Sequence, residues 1–273
     1  MGYIISVVNN KGGVGKTLTT CNLADALGKK NKKILVIDID PQCNTSTILL
    51  PRNTQIRKSL FEIIESNGKV EDLSGFIYAT ECNNVLVLPN ITDTANLEPD
   101  LISNAPDSFF KLRNILREYA NSTYDYTIID CPPNMGSFVL CALYTSDFVI
   151  VPVKAGSAFS VEGLIRATKL IEEIKTKGNS DLKFLRLLIN SVDKRTAISK
   201  AITGQLHNIF DENQVFKTQI PVNTAFEKAE SMGETIFQND ATATGSRAFR
   251  ALATELTSIL GAYRNVKKRE KFS

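Results

Sequence analysis

The stretch best equipped for chemistry is SVVNNKGGVGKTLTTCNL, residues 6–23. Gly12, Gly13 and Gly15 permit a backbone path that other residues avoid, so successive N–H groups can turn inward around an anion. A helix starting near Lys16 adds the positive end of its dipole. Lys16 can then reach the outer phosphates of a nucleotide, and the Thr17 hydroxyl can ligate a magnesium ion. The bare phosphate-loop pattern arises often by chance; here it is sharpened by the strand before it and the helix after it. Such a loop needs one lysine, so Lys11 calls for a separate explanation.

Two further segments end in acids. ILVIDIDPQCN closes a strand with Asp38 and Asp40, which alternation along a strand puts on one face, and YTIIDCPP closes another with Asp130 before Pro132 and Pro133. Ligands of open α/β sheets bind beyond the carboxyl ends of the strands, so all three aspartates are expected to converge on the glycine loop. Asp130 and Asp38 then join Thr17 as candidates around magnesium, with Asp130 in an outer-shell role, and Asp40 can orient an attacking water. The competing reading makes these aspartates helix N-caps before PQCN and PPNMG.

The elements that must carry these residues are short apolar runs in order: YIISVV, KILVID, NVLVLP, YTIIDCP, DFVIVPV and LKFLRLLIN. Between them, Thr17 to Lys30, Ser108 to Ala120, Val161 to Lys175 and Ser246 to Leu260 space apolar residues three and four apart, as amphipathic helices do. This alternation predicts an α/β fold, a mostly parallel twisted sheet with helices on both faces.

Composition limits the alternatives. A chain of 273 residues with 43% hydrophobic content can bury a sizeable core, and a formal net charge of +3 does not by itself announce a polyanion partner. Cys21, Cys43, Cys82, Cys131 and Cys141 form no C-x-x-C pair, which fits reduced thiols in a cytosol better than a disulfide framework or a structural zinc site. No run approaches the length of a membrane span, and the N-terminus lacks the marks of a secretory signal, so the expected location is cytoplasmic.

Taken together, KGGVGKT, DIDPQCN, YDYTIIDCPP and VPVKAGSAFSVEGL resemble the deviant Walker ATPases of the ParA/Soj type, relatives of MinD. The likeness runs from Ile4 to about Leu260. It implies a single P-loop ATPase domain over residues 1–262 followed by a basic tail, 263–273, with ATP and Mg2+ as cofactors. In that family the early lysine, here Lys11, crosses a dimer interface to the phosphates held by the partner. Lys11 and Lys16 would stabilise charge and Asp40 position the water, while Asp130 matches the Walker B aspartate. Gly12, Gly13, Val14, Gly15, Lys16, Thr17 and Leu18 form the nucleotide-binding segment, and Asn190 and Pro221 fall where the family contacts adenine. Leu18 stands where a second threonine is usual, Cys43 replaces a common glycine, and Val222 and Lys228 replace residues that are often arginine and glutamate.

The resemblance further implies an ATP-dependent homodimer that binds double-stranded DNA non-specifically, associates with the nucleoid and is stimulated by a ParB-like centromere-binding protein. With the phosphate loop within the first dozen residues of this sequence, the resemblance is to the short members, and an N-terminal helix-turn-helix domain is not expected. Candidate phosphate contacts for DNA are Lys194, Arg195, Lys200, Arg247, Arg250, Lys267, Lys268 and Arg269. A MinD-like membrane-positioning ATPase is the alternative, but the closing segment GAYRNVKKREKFS scatters Tyr263, Val266 and Phe272 among cations, a poor insertion face, so no stable membrane association is expected. An iron–sulfur carrier would need cysteines arranged around a cluster, and burial explains Cys131 and Cys141 more simply.

Overall fold

β1 (Tyr3–Val7) shows why the strands read as unbroken apolar runs. Tyr3, Ile5 and Val7 enter one core, Ile4 enters the core on the opposite face, and each face of the sheet is covered by helices. The computed structural model describes residues 2–66, 70, 72–156 and 160–270, with the backbone alone described at 160–163 and 267–270.

The remaining strands are β2 (Ile34–Asp38), β3 (Tyr78–Ala79), β4 (Val85–Leu88), β5 (Tyr126–Asp130), β6 (Phe148–Lys154) and β7 (Lys183–Asn190). Among the described residues they form one seven-stranded sheet in the order β3-β4-β2-β5-β1-β6-β7. Every pairing is parallel except β3 with β4. The six expected strands are all present. The short antiparallel β3 is additional, and its two residues are too few to show a period.

Helices connect the strands: α1 (Lys16–Gly28), α2 (Asn44–Leu49), α3 (Leu60–Glu65), α4 (Glu98–Ser103), α5 (Lys111–Thr123), α6 (Ser137–Thr145), α7 (Ser160–Lys177), α8 (Ala197–Ile209), α9 (Thr224–Met232), α10 (Ile236–Asn239) and α11 (Thr244–Glu270). One core contains Leu112 and Leu116 of α5, Phe138 and Val139 of α6, and Leu164 and Ile171 of α7. The other contains Leu23 and Leu27 of α1 and Phe249, Leu252 and Leu256 of α11. Both cores hold strand residues whose side chains alternate, as the pleat requires.

α11 passes residue 262 without a break, and the Tyr263 ring packs 5.1 Å from that of Phe148. The Arg264 guanidinium lies 5.4 Å from the Tyr3 ring. The tilted Tyr263–Phe148 ring contact and the Arg264 guanidinium over the Tyr3 ring hold this turn of α11 against the sheet.

Candidate functional site

β1 and β5 are neighbours, and β1 leads directly into the glycine loop, so the loop sits beside the end of β5 at the carboxyl edge of the sheet. Gly13 and Gly15 take φ of 70° and 88°, the left-handed region that glycine enters without steric cost. Gly15 is further constrained, because a Cβ there would lie 2.7 Å from the amide nitrogen of Asn190. Gly15 also caps α1, whose first residues are Lys16 and Thr17.

The Thr17 hydroxyl donates to Asp130 Oδ2 at 2.7 Å. Thr45 donates to the same oxygen at 2.7 Å, and Thr20 donates to Oδ1 at 3.1 Å. Three hydroxyls thus hold a fully buried carboxylate whose burial raises it to about 6, while the donors from Thr45 and Thr17 pull it back. Donation to Asp130 leaves the lone pairs of the Thr17 oxygen for a cation.

Lys16 is buried, and its Nζ donates to the backbone carbonyl of Lys11 at 3.1 Å. Burial lowers its pKa, with Asp130 and Asp40 acting in the opposite direction. A buried ammonium resting on a neutral carbonyl is suited to exchange that contact for an anion.

Asp38 lies beside Asp130 in the strand register, and α2 supplies donors to it. Its Oδ2 accepts from the backbone N–H of Ser46 at 2.8 Å and from the Ser46 hydroxyl at 2.7 Å, and its Oδ1 accepts from Asp40 N–H at 3.2 Å. Ser46 is in the first turn of α2, where Cys43 supplies no side-chain cap, so Asp38 acts as a cap delivered from β2. Burial and the neighbouring Asp130 carboxylate push it up to about 8 despite these donors. Ser46 of α2 engages Oδ2 and the Asp40 N–H engages Oδ1, so Asp38 caps α2 while it stands beside Asp130 in the strand register. Asp40 lines the open cleft and accepts the Gln42 N–H at 2.9 Å through Oδ1.

This cleft, of about 450 Å³, runs from the glycine loop to α9. The phosphate-loop side is lined by Gly12, Gly13, Gly15, Lys16, Thr17, Leu18 and Asp40, and the far wall by Asn190, Pro221, Val222, Asn223 and Phe226. Val14 is buried and contributes its carbonyl, which accepts from Asn190 Nδ2 at 2.9 Å. A carbonyl can only accept, so the Asn190 amide nitrogen must face it, and Oδ1 is left buried with no partner among the described residues. Pro221 joins the wall by pairing with Val192 beyond the end of β7.

Lys11 is half-buried, with its N–H donating to Asn9 Oδ1 at 3.0 Å, and it is not among the residues lining the cleft. Lys154, at the end of β6 opposite Asn190, does line it. Sequence reasoning passed over Lys154, Thr45 and Ser46. Thr20 had a signal, since it follows Thr17 at helical i, i+3 spacing. Among the described residues no group of three or more His, Cys, Asp or Glu could hold a metal ion, so magnesium here would draw most of its ligands from phosphate and water. With the Thr17 hydroxyl beside Asp130 and a buried ammonium adjacent, the residues fit a magnesium-nucleotide complex.

Of the expected DNA contacts, Lys194, Arg195, Lys200, Arg247 and Arg250 are exposed. Arg195 forks onto Asp193 through Nε and Nη2, each at 2.9 Å, and Arg250 lies over the Phe237 ring at 5.1 Å. The side chains of Lys267, Lys268 and Arg269 lie outside the described residues. Four of the five cysteines are buried, Cys131 and Cys141 within one core, and Cys43 is half-buried. Among the described residues no helix is long and apolar enough to cross a membrane.

A parallel sheet with this loop at its edge defines a P-loop nucleotide hydrolase of the ATPase class. Residues 2–184 match the sequence model of an AAA domain family. The chain is 33% identical to the chromosome partitioning protein ParA of Myxococcus xanthus, over 94% of this chain and 88% of that protein. It is 32% identical to the sporulation initiation inhibitor protein Soj of Bacillus subtilis, over 94% and 99%. Among solved structures it resembles cobyrinic acid a,c-diamide synthase from Mycobacterium smegmatis with bound ATP analog and magnesium, with a TM-score of 0.77 and 26% identity over 93% of each chain. The chain belongs to the ParA/Soj family of P-loop ATPases.

Proposed function

We propose that this protein is a magnesium-dependent ATPase that dimerises on binding ATP and partitions DNA. The observation that carries the proposal is buried Lys16 next to the bonded pair Thr17 and Asp130, beside a cleft of about 450 Å³. When bound, Mg·ATP supplies the phosphoryl group for in-line transfer to water and a divalent charge that screens the phosphates.

The chain's own residues act around that group. The N–H groups of the glycine loop and of Thr17 and Leu18 cradle the phosphates, and Lys16 leaves the Lys11 carbonyl to neutralise the outer ones. Asp130 fixes the Thr17 hydroxyl for the cation and itself stays in the outer shell. Asp40 orients water at the open side of the cleft. Asn190, whose buried Oδ1 acceptor is unmet and would be uncovered to take an exocyclic amine such as that of adenine, and Pro221 both line the side of the cleft where the base would lie. Lys11, outside its own cleft, serves the nucleotide of a facing copy, so that ATP joins two chains.

Doubling the exposed cations on dimerisation gives a surface suited to duplex DNA. Val192 pairs with Pro221 and Asn223 bonds Thr244 at 2.7 Å. The loop carrying Lys194 and Arg195 and the first turn of α11 carrying Arg247 therefore both adjoin the wall of the cleft. We assign stimulation of turnover to a ParB-like centromere-binding partner. The relatives named for chromosome partitioning support the DNA role.

Sedimentation with ATP, ADP or neither, with and without non-specific duplex DNA, tests this function. Dimers that form with ATP alone and bind DNA in a salt-sensitive way are expected. A monomer in ATP, or DNA binding indifferent to nucleotide, would contradict it.

A further inference from the structure

α1 begins at the phosphate loop, yet its middle carries two polar side chains into the interior. Asn22 is 6% exposed and Asp25 is 0% exposed, one turn apart on the same helix face. Burying an amide and a carboxylate is unfavourable unless both are partnered, so their contacts should report what they are for.

Both contacts go to the start of α10. Asn22 Oδ1 accepts from the backbone N–H of Ile236 at 2.7 Å, and its Nδ2 is anchored on the Leu18 carbonyl at 2.8 Å. Asp25 Oδ2 accepts from the Thr235 hydroxyl at 2.6 Å, while its Oδ1 pairs with Lys29 Nζ at 3.3 Å. Thr235 is itself fully buried and caps α10 reciprocally with Gln238. The first turn of α10 is therefore pinned to α1 by two short directional bonds. Apolar contact alone would let it slide; hydrogen bonds fix its position along the axis of α1.

α10 follows α9 across a left-handed Gly233, and α9 with the segment before it forms the far wall of the cleft. The Phe226 ring of that wall packs against Phe249, and at Gly245 a Cβ would lie 2.5 Å from both Phe226 and Ile236. The wall and α10 thus form one packed unit. A second tie, Arg52 Nη2 to the Met232 carbonyl at 3.1 Å, reaches the same unit from beyond α2.

We infer that Asn22 and Asp25 are positioning residues that set the distance between the phosphate loop and the base-side wall. They govern the nucleoside share of nucleotide affinity and leave the phosphate share alone. This rests on the cleft being the nucleotide site proposed above.

The test compares two probes on the full chain with magnesium, ADP and inorganic pyrophosphate; pyrophosphate needs only the loop. In the wild type, ADP is expected to bind more tightly than pyrophosphate. Asp25→Asn and Thr235→Val should each weaken ADP about tenfold, with pyrophosphate unchanged within about twofold, and the double variant should lose little more than either alone. Thr235→Ser, which keeps the hydroxyl, should bind ADP like the wild type.

Equal losses on both probes would reduce the clasp to general support of α1 and overturn the inference, as would unchanged ADP affinity in Thr235→Val. If Asp25→Asn does not fold, the Thr235 pair alone decides the matter. A wild type that binds neither probe would instead remove the nucleotide reading, a different failure from a wild type that binds ADP and variants that bind it equally well.

Discussion

The two ends of the cleft are built differently. The phosphate end is nearly contiguous: Gly12 to Leu18 supply loop, cap and first helical turn, and β5 adds Asp130 from the adjacent strand. The base end is assembled from distant pieces, Asn190 at the close of β7 and Pro221 to Phe226 around α9. Backbone conformation dictates the first, whereas side-chain bonds across the fold locate the second. Asn190 joins them, since its amide grips the Val14 carbonyl while its Oδ1 stays unmet. The difference teaches that phosphate affinity and nucleoside selectivity rest on separable sets of residues.

Substitution at the phosphate end should have the largest effect. Lys16→Ala removes the buried cation, and a loss of at least about a thousandfold in kcat/KM for ATP is expected, with pyrophosphate binding lost as well. Retained pyrophosphate binding in calorimetry would break the assignment of this end to phosphate. Asp40→Ala should come next, lowering kcat by about a hundredfold or more while ADP affinity stays within about threefold, as expected of a residue acting on water. Steady-state turnover beside ADP titration separates the two quantities. At the base end, Asn190→Ala should weaken ADP about tenfold. It should also weaken pyrophosphate slightly, because the Val14 carbonyl loses its donor.

pH dependence sharpens the contrast between the carboxylates. Asp38, raised to about 8, and Asp130, raised to about 6, both hold their protons longer in the folded chain than unfolded. Their contribution is fully present at acid pH, below the unfolded value, and is lost as pH rises through the folded values. Without nucleotide or magnesium, the thermal unfolding midpoint should fall between roughly pH 4 and pH 8, and Asp38→Asn should flatten that fall, most clearly above pH 6 where Asp130 no longer contributes. A midpoint rising over this window because of Asp38 would refute the direction.

Cys43 predicts the smallest change. Its φ of 55° is left-handed, a conformation that costs a side-chain-bearing residue about 1–3 kcal/mol. Greater freedom of glycine in the unfolded chain offsets about 0.5–1 kcal/mol of the relief. Cys43→Gly should therefore raise stability by up to about 2 kcal/mol in denaturant unfolding, and a lower stability would show that the Sγ contact to the Pro41 carbonyl at 3.4 Å matters more.

What the sequence revealed follows the same division. Buried parallel strands announce themselves as apolar runs, and the glycine loop keeps its chemistry within a few neighbouring residues. Thr45 gave no such signal, since it reaches Asp130 across 85 positions of the chain. Strand alternation gives the face of the Asp38 carboxylate, which does lie beside Asp130, but not which donors meet it, and Ser46 does so from eight positions away. Thr235 and Asp25 lie 210 positions apart, so no local pattern could pair them. The substitution of cysteine for a common glycine at position 43 was legible, and the positive φ gives its physical meaning.

The proposed switch is two chains facing each other across ATP. Sedimentation of Asp40→Ala with ATP and magnesium, compared with the same variant also carrying Lys11→Ala, tests it directly. A stable dimer in the first and a monomer in the second are predicted, with nucleotide bound in both. A dimer that persists without the Lys11 side chain, or no dimer in either, would contradict the exchange of cations between subunits.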